Sequence, residues 1–446
     1  MKEYLNFFKA VPNLSCLGNL VQDGYRVIYE NTEIVSETEG KANNYPIFLQ
    51  ATDLETPFIK TDRLFYVHES DWLRYPKGRI KRGELLIEVK GRIEKVALVP
   101  DDFSEKALVT GSLYKLTVNQ KVNKHYLLAY LICKYGVAFK NRYKTNLLIS
   151  FLSKDDLHRI PVPIFSTEFQ NRIGDIFQKI FEGQKKEKSI YGEAEMRLLE
   201  TLGMVNYSPS VATVNIKSFK NSFGRTGRLD AEHYQPKYEA LYQALAKNNR
   251  VFKLGDRLSF NQRGTQPDYA DEGLPVVNSK HVQRGQVNMG DTRFANMPDK
   301  TNAVVIQQGD VLMNGTGVGT IGRAAPYLHP EKALPDNHVT VLRTDAMSPI
   351  CLALYLNSIA GQYQVDQHFK GSSGQIELYP ADIANFWCPE LDKSIQQQID
   401  KLAQQSFKLK SKSERLLEAA KRAVEIAIEL DEAAGMAYLA LEGALT

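Results

Sequence analysis

The sequence predicts an α+β protein in which two pseudo-repeated mixed α/β domains are separated by two long antiparallel coiled-coil helices. Three observations predict it. The chain is written twice. Each copy opens with short β-branched runs such as "KVALVP" and "HVTVLR", broken by Gly, Pro, Asn and Asp. Each copy then ends in a long apolar stripe at helical spacing.

The duplication comes from self-comparison. Asp156, Leu157 and Pro163 match Asp382, Ile383 and Pro389 at an offset of 226, and Gln170 and Ile173 match Gln396 and Ile399 at the same offset. Tyr130, Leu131 and Gly136 match Tyr355, Leu356 and Gly361; Gly83-Glu84 match Gly309-Asp310; and Leu17-Gly18 match Leu254-Gly255. Further upstream "YPIFLQATDL" is similar to "LPVVNSKHVQ". One match is chance; six in the same order are a repeat.

In chain order, residues 1–165 form the first mixed domain and 166–203 the first long helix. "TEFQ" from Thr167 fits a capping box, and Ile173, Ile176, Phe177, Ile180 and Phe181 start the stripe that Leu198, Leu199 and Leu202 resume. Residues 204–226 lose the period and read as a connector, and 227–391 form the second mixed domain. The second helix and a C-terminal tail occupy 392–446, with "SIQQ" from Ser394 as cap and Ile399, Leu402, Phe407, Leu409, Leu416, Leu417, Ala420 and Val424 as stripe. About 35 residues at 1.5 Å each make a rod of roughly 50 Å, and two such rods predict a coiled coil. The Ala-rich end, "LDEAAGMAYLALEGALT", reads as a short terminal helix or a fray.

The chain has 446 residues, 43% hydrophobic and 24% charged, with a net charge of +4. That balance suits buried cores and allows a nucleic-acid partner without requiring one. No apolar run has the roughly 18 residues of a membrane helix, and the N-terminus is too polar for a signal peptide. Cys16, Cys133, Cys351 and Cys388 lie far apart and read as buried free thiols of a cytoplasmic protein.

"MNGTGVGTIGR" contains G-x-G-x-x-G at Gly317, Gly319 and Gly322, the spacing of a dinucleotide cradle. Such a cradle needs a following helix for the pyrophosphate, and Pro326, Pro330 and Pro335 forbid one. The first copy, where Gly91, Ile93, Lys95 and Ala97 align with Gly319, Ile321, Arg323 and Ala325, keeps one glycine. A turn that brings backbone and a basic side chain close to a partner survives that loss; a cofactor site does not. The chain also lacks a P-loop, a methyltransferase tetrapeptide, a nuclease core, a nucleophile elbow and HExxH, and its eight histidines are scattered. This is the inventory of a binder: no catalytic residues, no metal ligands and no cofactor held by this chain.

Residues 116–146 hold six Lys or Arg and no acid, with Tyr126, Tyr130, Tyr135 and Tyr143 interleaved. The pattern suits a phosphate backbone; it equally suits a solvated helix face with inward aromatics. Residues 60–95 are more weakly basic, ten against six acidic. The DNA-contact candidates are Lys77, Arg79, Lys90, Arg92, Lys140, Arg142 and Lys144 in the first copy. In the second they are Asn314, Thr316, Arg323, Asn337, His338, Lys370, Ser372, Ser373 and Gln375, in the loops "MNGTGVGTIGR", "PDNHVT" and "KGSSGQ". Lys144 aligns with Lys370 at the offset of 226, which marks that loop as a shared position.

A mixed domain, a long helix and the same pair again resembles the specificity (S) subunit of type I restriction–modification systems. The segments that carry it are "GDVLMNGTGVGTIGRAAPY", "NHVTVLR", "LALYLNS", "GSSGQIELYPADIANFWCPEL" and "QQQIDKLAQQ" in the second copy. Their partners are "GELLIEVKGRIEKVAL", "LLAYLICKYG", "LSKDDLHRIPVPIF" and "FQNRIGDIF", and "GRLDAEHYQPKYEAL" opens the second half. The resemblance spans essentially the whole chain, and the first copy departs most, with its degraded glycine loop and short opening. It implies a non-catalytic subunit whose two target recognition domains each read half of a bipartite sequence in double-stranded DNA. It implies paired helices that fix the spacer and dock two methylation subunits, which carry S-adenosylmethionine, with restriction subunits joining them. Three other readings remain: the recognition subunit of another DNA-methylation or phage-defence system, a protein scaffold, and a dinucleotide-binding enzyme using Gly317–Gly322.

Overall fold

The computed structural model describes residues 8, 11, 13–27, 32–61, 64–145, 148–210, 212, 214–297, 303–371 and 376–445. The chain divides into two compact units. Unit 1 takes Met1–Gln184 and Ser411–Thr446, and unit 2 takes Lys185–Lys410. The division falls inside the two long helices, not at their ends.

Unit 1 is built on a four-stranded antiparallel sheet in the order Val21–Tyr25, Leu113–Val118, Leu85–Glu88, Val96–Leu98. A second sheet pairs Phe65–Tyr66 and Ala107–Val109 to either side of Ile47–Leu49, the latter pair parallel. Leu85–Glu88 is buried at every position because both its faces are covered. Leu85 and Ile87 enter the core beneath the helices, whereas Leu86 enters the core of the second sheet.

Unit 2 has the same plan. Its four-stranded sheet runs Leu258–Arg263, Val339–Thr344, Val311–Asn314, Ala324–Pro326, and its second sheet again contains one parallel pair, Leu274–Val277 with Leu334–Pro335. Val311 and Met313 face the helices and Leu312 faces the other core.

Two details repeat at atomic scale. Glu84 accepts from the Lys81 N–H at 2.7 Å and from the Lys115 ammonium at 2.8 Å. Asp310 likewise accepts from the Gln307 N–H at 2.9 Å and takes both arms of Arg343 at 2.7 and 2.9 Å. Each carboxylate is almost fully buried, so its cation partner offsets a large desolvation cost. In both units a helix pair then breaks at one residue, Cys133 between Lys124–Ile132 and Lys134–Tyr143, and Ser358 between Pro349–Asn357 and Ile359–His368. The second helix starts so close to the first that a Cβ at Gly136 would lie 2.1 Å from the Tyr130 carbonyl, and one at Gly361 2.3 Å from that of Leu356.

The long helices are Thr167–Leu202 and Lys393–Glu429. Within unit 1 they run antiparallel: Ser166 bonds Glu432 at one end, and Gly183 lies against Ser413 at the other. Phe169, Ile173, Phe177 and Ile180 share a core there with Leu416, Ala420, Val424 and Ile428. Each fully buried side chain of that size contributes about 1.5–3 kcal/mol. Within unit 2, Ser406 bonds Glu187 and Arg197 bonds Gln398, again antiparallel. The stripe there is thinner, with small residues Ala194, Ala403 and Ser406 buried among the longer ones.

Some expectations are corrected in detail, and one left open is decided. The first helix is capped by Ser166, whose Oγ accepts from the Phe169 N–H at 3.1 Å. Gln170 leaves the cap and accepts from the Asn123 N–H at 2.8 Å, and Gln396 does the same for Ser348 at 2.8 Å. The C-terminal segment Glu432–Leu445 is a helix whose Leu439 is buried in the core of unit 1. Cys16 is exposed, while Cys133, Cys351 and Cys388 are buried free thiols. Among the described residues no helix is long and apolar enough to cross a membrane.

Candidate functional site

The glycine segment is a hairpin loop. Val311–Asn314 pairs antiparallel with Ala324–Pro326, and residues 315–323 connect them. Gly317, Gly319 and Gly322 have φ of 92°, 81° and 76°, the left-handed region that only glycine adopts freely. The far side of the loop is closed on itself: Thr320 and Ile321 donate to the Gly317 carbonyl, and Gly322 to that of Asn314 at 2.8 Å. A strand follows where a dinucleotide would need a helix N-terminus, and this removes the enzyme reading of Gly317–Gly322.

A second loop lies against the first. Leu378 donates to the Gly315 carbonyl at 2.8 Å, and Glu377 bridges both Thr316 and Lys370. Gly315 donates to the His338 carbonyl at 2.8 Å, and Thr316 Oγ1 meets His338 Nδ1 at 2.8 Å. Arg263 holds the pair from below, donating to the carbonyls of Gly315 (3.1 Å) and Leu378 (3.0 Å) and to the Glu377 carboxylate (3.2 Å). Residues 314–323 and 336–338 therefore meet Lys370 and residues 376–378 at one end of the sheet.

Unit 1 assembles the matching pair. Residues 89–95 connect Leu85–Glu88 to Val96–Leu98. Gly91 donates to the Ser150 carbonyl at 3.0 Å, and Phe151 bridges both Lys90 and Thr145. Arg26 stacks on the Phe151 ring at 4.4 Å. Here Gly91 has φ of 108° and Ile93, a β-branched residue, has φ of 64°. What holds that conformation is a buried pair of charges. Glu88 accepts from the N–H groups of Glu94 (3.1 Å) and Lys95 (3.2 Å), and Lys140 donates to the Glu94 carbonyl at 2.7 Å. Burial pushes the Lys140 ammonium down to about 8, against the opposing pull of Glu88 and Glu94.

Several expectations about side chains are thereby corrected. Lys140 is fully buried and braces a loop, so it is not a phosphate contact. Asn314 is also fully buried, donating to the Ser279 carbonyl at 2.9 Å with its own Oδ1 unpartnered. Arg79 lies flat on Trp72 at 3.7 Å and bridges Leu108 of the other sheet. Tyr126, Tyr130 and Tyr135 are core residues, which decides the basic stretch in favour of inward aromatics.

The remaining candidates keep a wet face. Lys77, Lys90, Arg92, Arg142 and Lys370 are exposed, and Lys144, Thr316, Arg323, Asn337 and His338 are half-buried. Lys370 binds Asp382 at 2.8 Å, and Arg323 reaches Gln283 (3.2 Å) and the Gly319 carbonyl (3.1 Å). Ser372, Ser373 and Gln375 lie outside the described residues.

Sequence reasoning missed Arg26 and Arg263. The offset that aligns Leu17 with Leu254 also aligns these two arginines, and was the signal available. Among the described residues no three His, Cys, Asp or Glu side chains are grouped to hold a metal ion.

No family model and no curated protein matches the chain. Among the solved structures to which it is similar are S subunits of type I restriction–modification systems. A chain from a study of complex assembly and conformational transition of the type I R-M system is 14% identical, with 94% of this chain and 98% of that one covered and a TM-score of 0.30. The HsdS subunit from Thermoanaerobacter tengcongensis is 13% identical, with 94% and 97% covered and a TM-score of 0.29. The type I S subunit from M. genitalium is 12% identical, with 94% and 95% covered and a TM-score of 0.40.

Proposed function

We propose that this chain is the DNA-recognition subunit of a type I restriction–modification complex, with each unit reading one half of a bipartite duplex target. The observation that carries the reading is the repeated pair of loops. One strand frame, with a buried carboxylate at the aligned position held by a cation from the neighbouring strand, presents two loops at the same place in each unit, and their residues differ. A repeated frame with divergent tips is what two readers of two different half-sequences require.

On this reading the chain is non-catalytic and binds no cofactor. Two methylation subunits supply S-adenosylmethionine and adenine methylation, and restriction subunits supply cleavage. The exposed cations Lys90, Arg92, Arg142 and Lys77, with Lys144, meet phosphates, whereas Asn337, Thr316, His338 and Arg323 lie where base edges are read. Ser372, Ser373 and Gln375 are assigned to DNA contact from the sequence.

The test is methylome sequencing of cells expressing this chain with its neighbouring methyltransferase. An adenine-methylated motif in two parts is the expected result. A continuous motif, or no new methylation while the two proteins co-purify, would overturn the reading.

A further inference from the structure

The two loop pairs differ most at one point. In unit 1 the second loop carries "TNLLIS", and Leu148 at its tip is fully exposed (104%), with Ile149 55% exposed. The segment is anchored to the basic loop beside it: Gly91 donates to the Ser150 carbonyl, Leu152 donates to that of Val89 at 2.9 Å, and Phe151 bridges Lys90. Two large aliphatic side chains therefore project within a few residues of exposed Lys90, Arg92 and Arg142 and half-buried Lys144.

Exposing them to water is unfavourable by about the transfer energy of each side chain, so the tip asks for an occupant. Charge says which. From Lys106 to Lys154 the chain has no acidic residue at all. The exposed acids flanking the two loops are Glu94, within the neighbouring loop, and Asp155, beyond the anchored segment. An apolar point ringed by cations matches a polyanion with an apolar interior, which is a stacked duplex.

We propose that Leu148 and Ile149 form a wedge that enters a base step of the half-site read by unit 1, partly unstacking it while the surrounding cations hold the flanking phosphates. Apolar side chains used in this way kink the duplex and admit more protein surface. The aligned segment of unit 2 reads "KGSSGQIE", with Gly374 and Gln375 where unit 1 has Leu148 and Ile149, so only one half of the target is unstacked. The proposal rests on the DNA-recognition reading above.

The experiment uses the full chain with its methylation subunit, on duplexes carrying the methylated motif. 2-Aminopurine is placed in turn at each position of both halves, and its fluorescence reports unstacking. One step in one half should brighten. The double variant L148S/I149S should abolish that signal and weaken binding roughly tenfold, leaving the other half and the salt dependence unchanged. Leu148→Phe, which keeps an apolar wedge, should retain the signal. Brightening that persists in L148S/I149S, or is absent in the unaltered complex, would overturn the wedge while leaving DNA recognition intact. Loss of the methylation subunit from L148S/I149S would also overturn it, since the tip would then be a protein dock. Failure of the unaltered complex to bind any duplex would remove the recognition reading and the wedge together.

Discussion

The loop of residues 89–95 and the loop of residues 315–323 occupy the same place on the same strand frame, yet are held by different physics. The first contains one glycine and is braced by buried charge: Glu88 gathers two N–H groups and Lys140 caps a carbonyl. The second relies on three left-handed glycines, on Arg263 at the Gly315 carbonyl and on neutral amides. Asn357 exchanges two bonds with Ala324, at 3.0 and 2.7 Å, and Gln362 donates to the Gly322 carbonyl at 3.0 Å. The frame below is the same in both. A duplicated binding module can thus replace much of the support of its variable loop while the buried carboxylate that positions the strand stays.

The largest effect should come from that shared carboxylate. Lys115→Met and Arg343→Met each leave a buried carboxylate alone, and each should destabilise its own unit by about 3–5 kcal/mol. Hydrogen exchange should show lost protection over 85–98 and 113–118 in the first variant and over 311–326 and 339–344 in the second. A loss spread equally over both units would break the comparison.

The next separates the two supports by pH. Burial holds Lys140 at about 8, below the usual lysine value of 10.5. Between those values the unfolded chain carries a proton that the folded one has shed, so stability rises with pH across the window, and the cost of the buried charge is fully felt below it. Unfolding of unit 1 should show a rise of roughly 2–3 kcal/mol from pH 8 to 10.5 that Lys140→Met lacks. Unit 2 has no counterpart, since Val365 stands at the position that the offset of 225 between the two helix pairs aligns with Lys140.

Asn337→Ala should relax the half of the methylated motif read by unit 2 by about 1–3 kcal/mol of discrimination and leave the other half unchanged. Changes in both halves would mean that the loops do not read separately. Smallest is Lys144→Ala, which should weaken binding to all sequences alike and lower the slope of log K against log salt by about one.

The frame was legible in the sequence because repeats and stripes are written in residue types whose burial is obligatory. Tyr130 and Gly136 matched Tyr355 and Gly361, and both pairs sit at the same helix break. The loops were legible only in part. Lys140 reads as one more cation in a basic run, and nothing local says that its four-carbon stem crosses the core to a carbonyl 46 residues upstream. Asn314 sits in a polar, glycine-rich string, but it is the last residue of a strand buried on both faces. Arg26 and Arg263 are single charges at strand ends, without periodicity to mark them.

Unit 2 is one continuous stretch of chain, while unit 1 is assembled from stretches on either side of it. During synthesis this inverts the order in which the two can be completed. The first lobe emerges early but lacks the partners of Phe169, Ile173 and Phe177 until Leu416, Val424 and Leu439 have been made. The second lobe has all its residues by Lys410. Since the ribosome adds about 5–20 residues per second, the 226 residues between Gln184 and Ser411 impose a wait of the order of ten seconds or more. Through that wait the apolar stripe of the first helix is uncovered, so chaperones have a defined early target in 169–180.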